Sequence, residues 1–165
     1  VSFSSPWPLA KGSVFDVECR DSKNGDGAFL SVTTKTNKES ILDLPSSFFL
    51  DQLFAPTGRF SFYGSPTNVK VKKSEIVGDK RIIEFSFANL SQSTNAEIPR
   101  TAIMIAAKPE GVDQAVMLVG SATSARWRKG SENTIRDTIS SFNASASPKS
   151  SMKVRVKEKY SDFLM

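Results

Sequence analysis

Asp16 and Glu18 are the carboxylates that come nearest to a catalytic pair, because they stand two positions apart in an alternating segment. In a β-strand, residues two apart project from the same face, so the two side chains would lie together. A solvated strand face explains the same spacing, and carboxylates point to catalysis only when a cleft and a specific charge partner perturb them. We therefore predict no catalytic role for this pair.

The histidine and cysteine content removes most other enzyme chemistry. The chain has no histidine, which excludes Ser-His and Cys-His nucleophiles and the commonest general acid-base group. Its one cysteine, Cys19, can form neither an internal disulfide, nor a CxxC redox pair, nor a thiolate zinc cluster. We predict a protein that is not an enzyme and that uses no cofactor and no metal.

The segment from Asp21 to Gly27 has the composition of a ligand loop without its spacing. Lys23 stands where a calcium loop has a ligand, and no glutamate closes the loop at its end. A dinucleotide-binding loop needs a third glycine at the position of Leu30, and a strand follows where a helix is required. The segment instead predicts the turn of a β-hairpin.

Protein binding is a better prediction for Arg126, Trp127, Arg128 and Lys129, which we call the basic hinge. Charged residues at the approach to a helix are either simply solvated or part of a partner surface. Trp127 is either a core anchor or an exposed contact, and the usual burial of tryptophan favours the anchor. All four residues are candidate contacts for a partner protein.

The C-terminal tail is the second candidate contact, through Lys153, Arg155 and Lys157, which alternate with apolar residues. It is either a disordered basic end or a segment that adds to the sheet or surface of a partner. Residues 149–165 contain five basic and two acidic residues, so they hold +3 of the net charge of +5 and leave +2 for the rest. The body thus lacks the dense basic stripe of a nucleic-acid binder, and we predict no nucleic-acid partner.

The elements that must position the basic hinge are a strand before it and a helix after it. Residues 115–119 are apolar without interruption, which is typical of a central strand covered on both faces. After the hinge, Ser131 is the predicted N-cap of a helix. Ile135, Ile139 and Phe142 then follow at helical spacing and predict one buried stripe.

The rest of the chain predicts an antiparallel sheet in an α+β fold. The uninterrupted apolar strand needs cover on both faces, so we expect an α-β-α sandwich with helices flanking a mainly antiparallel sheet. Lysines on the first strand of the meander suit an exposed sheet edge. The predicted elements are a short strand at 1–4, a hairpin of 12–20 with 28–32, a helix after Pro45, and a meander of strands at 69–77, 81–88, 101–107 and 115–119.

The length of 165 residues fits one domain, which we place at residues 1–144 and follow with a linker and basic tail at 145–165. No apolar run approaches the roughly 20 residues that a membrane helix needs, so we expect no membrane span. The chain begins at Val1, which suits either a processed protein or a sequence that covers only part of its protein.

Several segments together resemble the PsbP family of the thylakoid lumen. The run Ala125-Arg126-Trp127-Arg128-Lys129-Gly130, followed by a helix that ends Ser140-Ser141-Phe142, is similar to the C-terminal signature of the family. The segments at 4–7 and 38–53 resemble its early Pro-x-x-Trp region and its Ser-Ile segment with the following helix. Segments 60–64 and 91–95 look most like the PsbP-like lumenal subunit of the chloroplast NADH dehydrogenase-like (NDH) complex.

This resemblance implies a PsbP/Mog1-like sandwich and a non-catalytic extrinsic subunit, peripheral to the thylakoid membrane on its lumenal side. The implied partners are other subunits of a thylakoid membrane complex, the NDH complex that works with photosystem I in cyclic electron flow. An assembly factor or extrinsic protein of photosystem I or II is the alternative within the family. From another class, a small-ligand carrier with an apolar pocket between sheet and helix remains open.

Overall fold

The computed structural model describes residues 1–10, 17–61, 64–91 and 93–146. The strands are β1 (Glu18–Arg20), β2 (Gly27–Lys35), β3 (Thr67–Val77), β4 (Lys80–Leu90), β5 (Glu97–Ala107) and β6 (Gln114–Thr123). The helices are α1 (Ser46–Leu53), the single turn α2 (Ser124–Arg126) and α3 (Glu132–Ser140), with a 3-10 turn at Arg59–Ser61. All strands join one six-stranded antiparallel sheet in the order β1-β2-β6-β5-β4-β3, so the predicted α+β class is confirmed.

The predicted central strand is β6, which pairs with β2 on one side and β5 on the other. Leu118 lies opposite both Leu30 and Ile105, and Val119 lies opposite Phe29. Residues 117–122 are all buried, because each face of the strand meets a different part of the core. The apolar run was therefore a correct indicator of a strand with cover on both faces.

The meander from β3 to β6 is also confirmed, with β3 at the free edge of the sheet. Nearly every residue of β3 is exposed, including Lys70, Lys72 and Lys73. Strands β4 and β5 each extend beyond their predicted ends, to 11 residues. The extra residues are more polar, but they stay in the sheet because each pairs with a neighbouring strand.

One face of the sheet is covered by α1 and the loops beside it. Phe49, Leu50 and Leu53 of the helix are buried. Arg81 of β4 fixes the entry to this helix, because its Nη1 donates to the Leu44 carbonyl at 2.7 Å. The cluster on this face is rich in phenylalanine, and its buried members include Phe29, Phe49, Phe60, Phe85 and Phe87.

The opposite face is covered by α3, through Ile135 and Ile139, with Phe142 just beyond the helix. This helix lies very close to β6 at Gly120, where an added Cβ would stand 2.7 Å from Cγ2 of Ile135. The absence of a side chain at that position lets the helix approach the sheet this closely. Within the described residues, no helix is long and apolar enough to cross a membrane.

Two sequence predictions need correction at the ends of these elements. Ser131 does occupy the N-cap position of α3, but it makes no capping hydrogen bond: its hydroxyl donates to Oδ2 of Asp26 at 2.7 Å, and its backbone is already helical. The first four residues form no strand but a single bridge, in which Ser2 and Asn143 exchange two backbone hydrogen bonds of 2.8 Å. The hairpin of β1 and β2 is confirmed, whereas the first part of the predicted strand at 12–20 lies outside the described residues.

Candidate functional site

The basic hinge is held at the end of β6 by a break in helical geometry. The chain leaves the strand at Thr123, makes the single turn α2, and passes through a wide turn at Trp127–Ser131 before α3 begins. Gly130 has a φ of +126°, a backbone conformation that other residues rarely adopt, so this glycine allows the change of direction. The hinge side chains consequently project in different directions.

Arg126 is tied to the first hairpin of the protein. Its Nε and Nη2 donate to the two carboxylate oxygens of Asp26, both at 3.0 Å, and Ser131 donates to the same carboxylate. This hydrogen bond with Asp26, more than any other interaction, raises the pKa of Arg126. Asp26 is buried, while 44% of the Arg126 side chain stays exposed. Arg126 thus has a structural function whether or not it also contacts a partner.

Of the two interpretations given above for Trp127, core anchor or exposed contact, the structure supports the core anchor. It is only 6% exposed and belongs to the cluster beneath α3, with the guanidinium of Arg136 5.8 Å from its ring centroid. Burial leaves little of the indole for a partner, so its predicted contact would be limited to one edge. Arg128 and Lys129 are both exposed beside it.

Arg128 and the edge of Trp127 border a groove on the α3 side of the sheet, which we call the basic groove. It has a volume of about 400 Å³ and lies where α3 no longer covers the strands. Its other residues come from β3, β4, β5 and the start of α2. They are Asn68, Lys70, Lys72, Ser86, Phe87, Ala88, Glu97, Pro99, Thr101 and Ser124.

The charge of the basic groove comes from residues that are distant in sequence. Lys70, Lys72 and Arg128 line it together with one carboxylate, Glu97, which gives a net charge of +2. Lys70 lies opposite Ser86 in the sheet, so its side chain projects to the face where α3 lies. From the sequence, the β3 lysines were predicted only to protect the edge of the sheet. The two-residue spacing of Lys70 and Lys72 also indicated that both side chains lie on one face of the strand.

The remaining candidate residues do not form a chemical centre within the described part of the chain. Glu18 is buried and accepts a hydrogen bond of 2.8 Å from Nε of Arg59, whereas Asp16 lies outside the described residues. Cys19 is a buried free thiol. The tail candidates Lys153, Arg155 and Lys157 also lie outside the described residues, so their part in binding stays a prediction.

A second cleft lies at the same end of the sheet but on the face that carries α1, and we call it the arginine cleft. It has a volume of about 520 Å³, and Arg20, Arg59 and Arg100 all line it. This cleft was not predicted from the sequence. A signal was present in Arg100, a charged residue two positions before the uninterrupted apolar run at 102–107, but the other two arginines come from unrelated segments.

Comparisons with known proteins add little to this geometry. No protein-family profile matches the chain, and no curated protein matches it significantly. Among solved structures, the chain is similar to LpqN, a protein involved in cell envelope biogenesis of Mycobacterium tuberculosis. The two share 12% identity over 81% of this chain and 78% of LpqN, with a TM-score of 0.41. A likeness at this level carries no argument about the function of this chain.

Proposed function

We propose that this protein is a non-catalytic docking subunit of PsbP type, with the family's α-β-α sandwich, that stabilises a thylakoid membrane complex from the lumen. The complex we propose is the chloroplast NDH complex. The observation that carries the docking function is the basic groove, where exposed cations of β3 meet Arg128 of the hinge on one surface. The choice of complex depends on the sequence resemblance alone.

The chemistry of the groove suits an acidic segment of a partner protein. Lys70, Lys72 and Arg128 supply the positive charge, and Ser86 and Thr101 supply hydroxyl groups on the floor between them. Charges at the rim of an interface mainly raise the association rate and select the partner, while a partly buried aromatic edge such as that of Trp127 adds apolar contact.

The mechanism is stabilisation by binding. A subunit that binds only the assembled complex shifts the assembly equilibrium by mass action, with no turnover. The free edge of β3 offers a second mode of contact, because its backbone groups can pair with a strand of a partner. A PsbP-type assembly factor for photosystem I or II would use the same surface transiently.

A small-ligand carrier is less well supported by the described residues. Two buried clusters of side chains occupy the interfaces between the sheet and its helices, and the cleft between β2 and the end of α1 has a volume of only about 280 Å³. The larger clefts lie outside these interfaces and carry charged residues.

The test combines native separation of solubilised thylakoid complexes with a pair of charge variants. The docking variant is Lys70→Glu with Arg128→Glu, and its control is Lys23→Glu with Lys35→Glu, which changes the net charge equally at exposed sites away from the groove. We expect the wild-type and control chains to migrate with the NDH complex and the docking variant to migrate as free protein.

Each other outcome has a definite meaning. Equal loss of binding in both variants would refute the groove as the docking surface, since net charge alone would then explain the effect. Migration of the wild-type chain only with immature photosystem particles would refute the NDH subunit and favour the assembly factor.

A further inference from the structure

Arg100 is a half-buried cation of the arginine cleft, and its charge has no direct partner within the described residues. Its Nη2 donates to the Gly25 carbonyl at 3.1 Å and to the Ser121 hydroxyl at 3.0 Å, which are both neutral acceptors. Among the described residues, both of its hydrogen bonds are made by Nη2, and its Nε and Nη1 have no acceptor. The guanidinium therefore keeps donors available on the side that lines the cleft.

The neighbouring charges do not compensate Arg100 directly. Asp26 is the carboxylate whose charge acts on it, but Arg126 and Ser131 already occupy both oxygens of that group. Burial, with a further contribution from the positive charge of Arg59, lowers the pKa of Arg100 to about 10. A partly buried charge that is held by neutral groups alone keeps part of its desolvation cost, and an anion placed beside it would offset that cost.

Asn89 contributes a second unsatisfied group to the same cleft. It lies opposite Ile98 in the sheet, and Ile98 stands two residues before Arg100, so the three side chains project from one face. Its Oδ1 is buried and has no hydrogen-bond partner within the described residues. The Asn89 residue lines the cleft, so a turn of its side-chain amide would bring this acceptor to an N–H or O–H donor of a bound molecule.

We propose that the arginine cleft binds a carboxylate whose molecule also carries a hydrogen-bond donor close to the acid group. Arg100 receives the carboxylate through its free donors, Arg20 adds charge at the rim, and Asn89 accepts from the ligand. The planar fork of an arginine matches the two oxygens of a carboxylate. The proposal is independent of the docking function, because the cleft lies on the opposite face of the sheet from the basic groove.

The charge of the lining favours a carboxylate over a phosphate. The three arginines are offset by Glu18 and Asp21, which leaves a net charge of +1 around the cleft. A monoanion neutralises that charge, whereas a phosphate dianion would leave a negative excess beside two acidic side chains. The same chemistry is offered by a free small carboxylate and by an acidic residue with its backbone amide, and the cleft volume of about 520 Å³ accommodates either.

The test is an NMR titration of the isotope-labelled full chain with N-acetylglycine, a monocarboxylate that carries an N–H donor. We expect saturable shifts at the Arg100 Nε–H, the Asn89 side-chain amide and the Gly25 amide. Acetate, which lacks the donor, should bind several-fold more weakly, and inorganic phosphate more weakly still. Sodium chloride at equal ionic strength is the control, and shifts that follow salt alone would overturn the proposal, as would tighter binding of phosphate.

Two variants locate the site, and a third serves as a control. Arg100→Gln should weaken binding at least tenfold, as expected when a hydrogen bond to a charged group is lost. Asn89→Asp should weaken it by a similar factor, because the added carboxylate competes for Arg100, and this variant remains informative if Arg100→Gln does not fold. Lys35→Gln, which removes an exposed charge that does not line the cleft, should bind as the wild type does. Unchanged affinity in a folded Asn89→Asp protein would refute the site.

A blocked tripeptide, acetyl-Gly-Asp-Gly-amide, distinguishes the two sources of the carboxylate. Tighter binding of the tripeptide than of N-acetylglycine would assign the cleft to an acidic residue of a polypeptide. Weaker binding would assign it to a free small acid. Absence of saturable binding by both probes would overturn the proposal.

Discussion

The close approach of α3 to β6 at Gly120 predicts how the substitution Gly120→Ala changes the free energy of unfolding. Whether this substitution stabilises or destabilises the protein depends on the side chain of Ile135. In Gly120→Ala, the new Cβ would lie 2.7 Å from Cγ2 of Ile135, and both residues are buried. Overpacking of this kind costs about 1–3 kcal/mol. Replacing glycine by alanine also restricts the unfolded chain and stabilises the fold by about 0.4–1 kcal/mol where no clash occurs. We therefore expect a net destabilisation of about 1–2 kcal/mol.

The same substitution should have the opposite sign when Ile135 is removed. Ile135→Ala alone deletes a fully buried side chain and should cost about 2–5 kcal/mol. In that background the clash is gone, and the alanine methyl at position 120 occupies part of the cavity. We expect Gly120→Ala to be neutral or stabilising there, by up to about 1 kcal/mol.

Urea unfolding of the four proteins measures this coupling. With an m-value of about 2 kcal/mol/M, the single Gly120→Ala change should lower the midpoint by roughly 0.5–1 M without altering the slope. The coupling energy between the two sites should be at least about 1 kcal/mol, which is typical of residues in direct contact. Additive effects of the two substitutions would show that α3 does not press on Gly120, and our account of the helix position would then be wrong.

Two further predictions concern the acid limit of stability and the domain boundary. Hydrogen bonds from the Thr36 hydroxyl at 2.7 Å and the Lys38 amide at 2.9 Å lower the pKa of Asp113 in the folded protein. The Asp113 carboxylate therefore stabilises the fold fully above about pH 4, and this stabilisation is lost as the pH falls through the lowered pKa. The stability difference between wild type and Asp113→Asn should therefore shrink as the pH falls below 4, and a constant difference in acid unfolding curves would contradict this assignment. Deletion of residues 151–165 should leave cooperative thermal unfolding intact and weaken docking, and loss of cooperativity in the truncated chain would show that the tail belongs to the domain.

The sequence alone predicted those parts of the fold that depend on local pattern. The apolar run at 115–119 indicated a strand with cover on both faces, and the turn before Gly27 indicated the first hairpin. The spacing of Ile135 and Ile139 indicated the face of α3 that is buried. Each of these features is decided by neighbours within one turn or one strand.

The features that were missed depend on contacts between distant segments. Ser131 is a good N-cap residue by type, but the buried carboxylate of Asp26 binds its hydroxyl instead. Lys70 and Arg128 line one groove only because of the register of three strands, which the sequence does not give. The lack of a carboxylate partner for Arg100 follows from the ion pair of Asp26 with Arg126, which is also a contact between distant segments. A single sequence gives the residue types for such sites but not their distances.

The bond between Asp26 and Arg126 joins two segments that are separated by 100 residues, and it has a consequence for when the hinge takes shape. Strands β3 to β6 connect through short turns, whereas β2 reaches β6 only by closing a long loop, which is the slower kind of step. The hinge thus gains its final conformation only after the N-terminal hairpin has joined the sheet. A partner that binds Arg128 in its native position would therefore bind the folded protein and not a partly folded one. Partly folded chains would then be excluded from assembly by this contact alone.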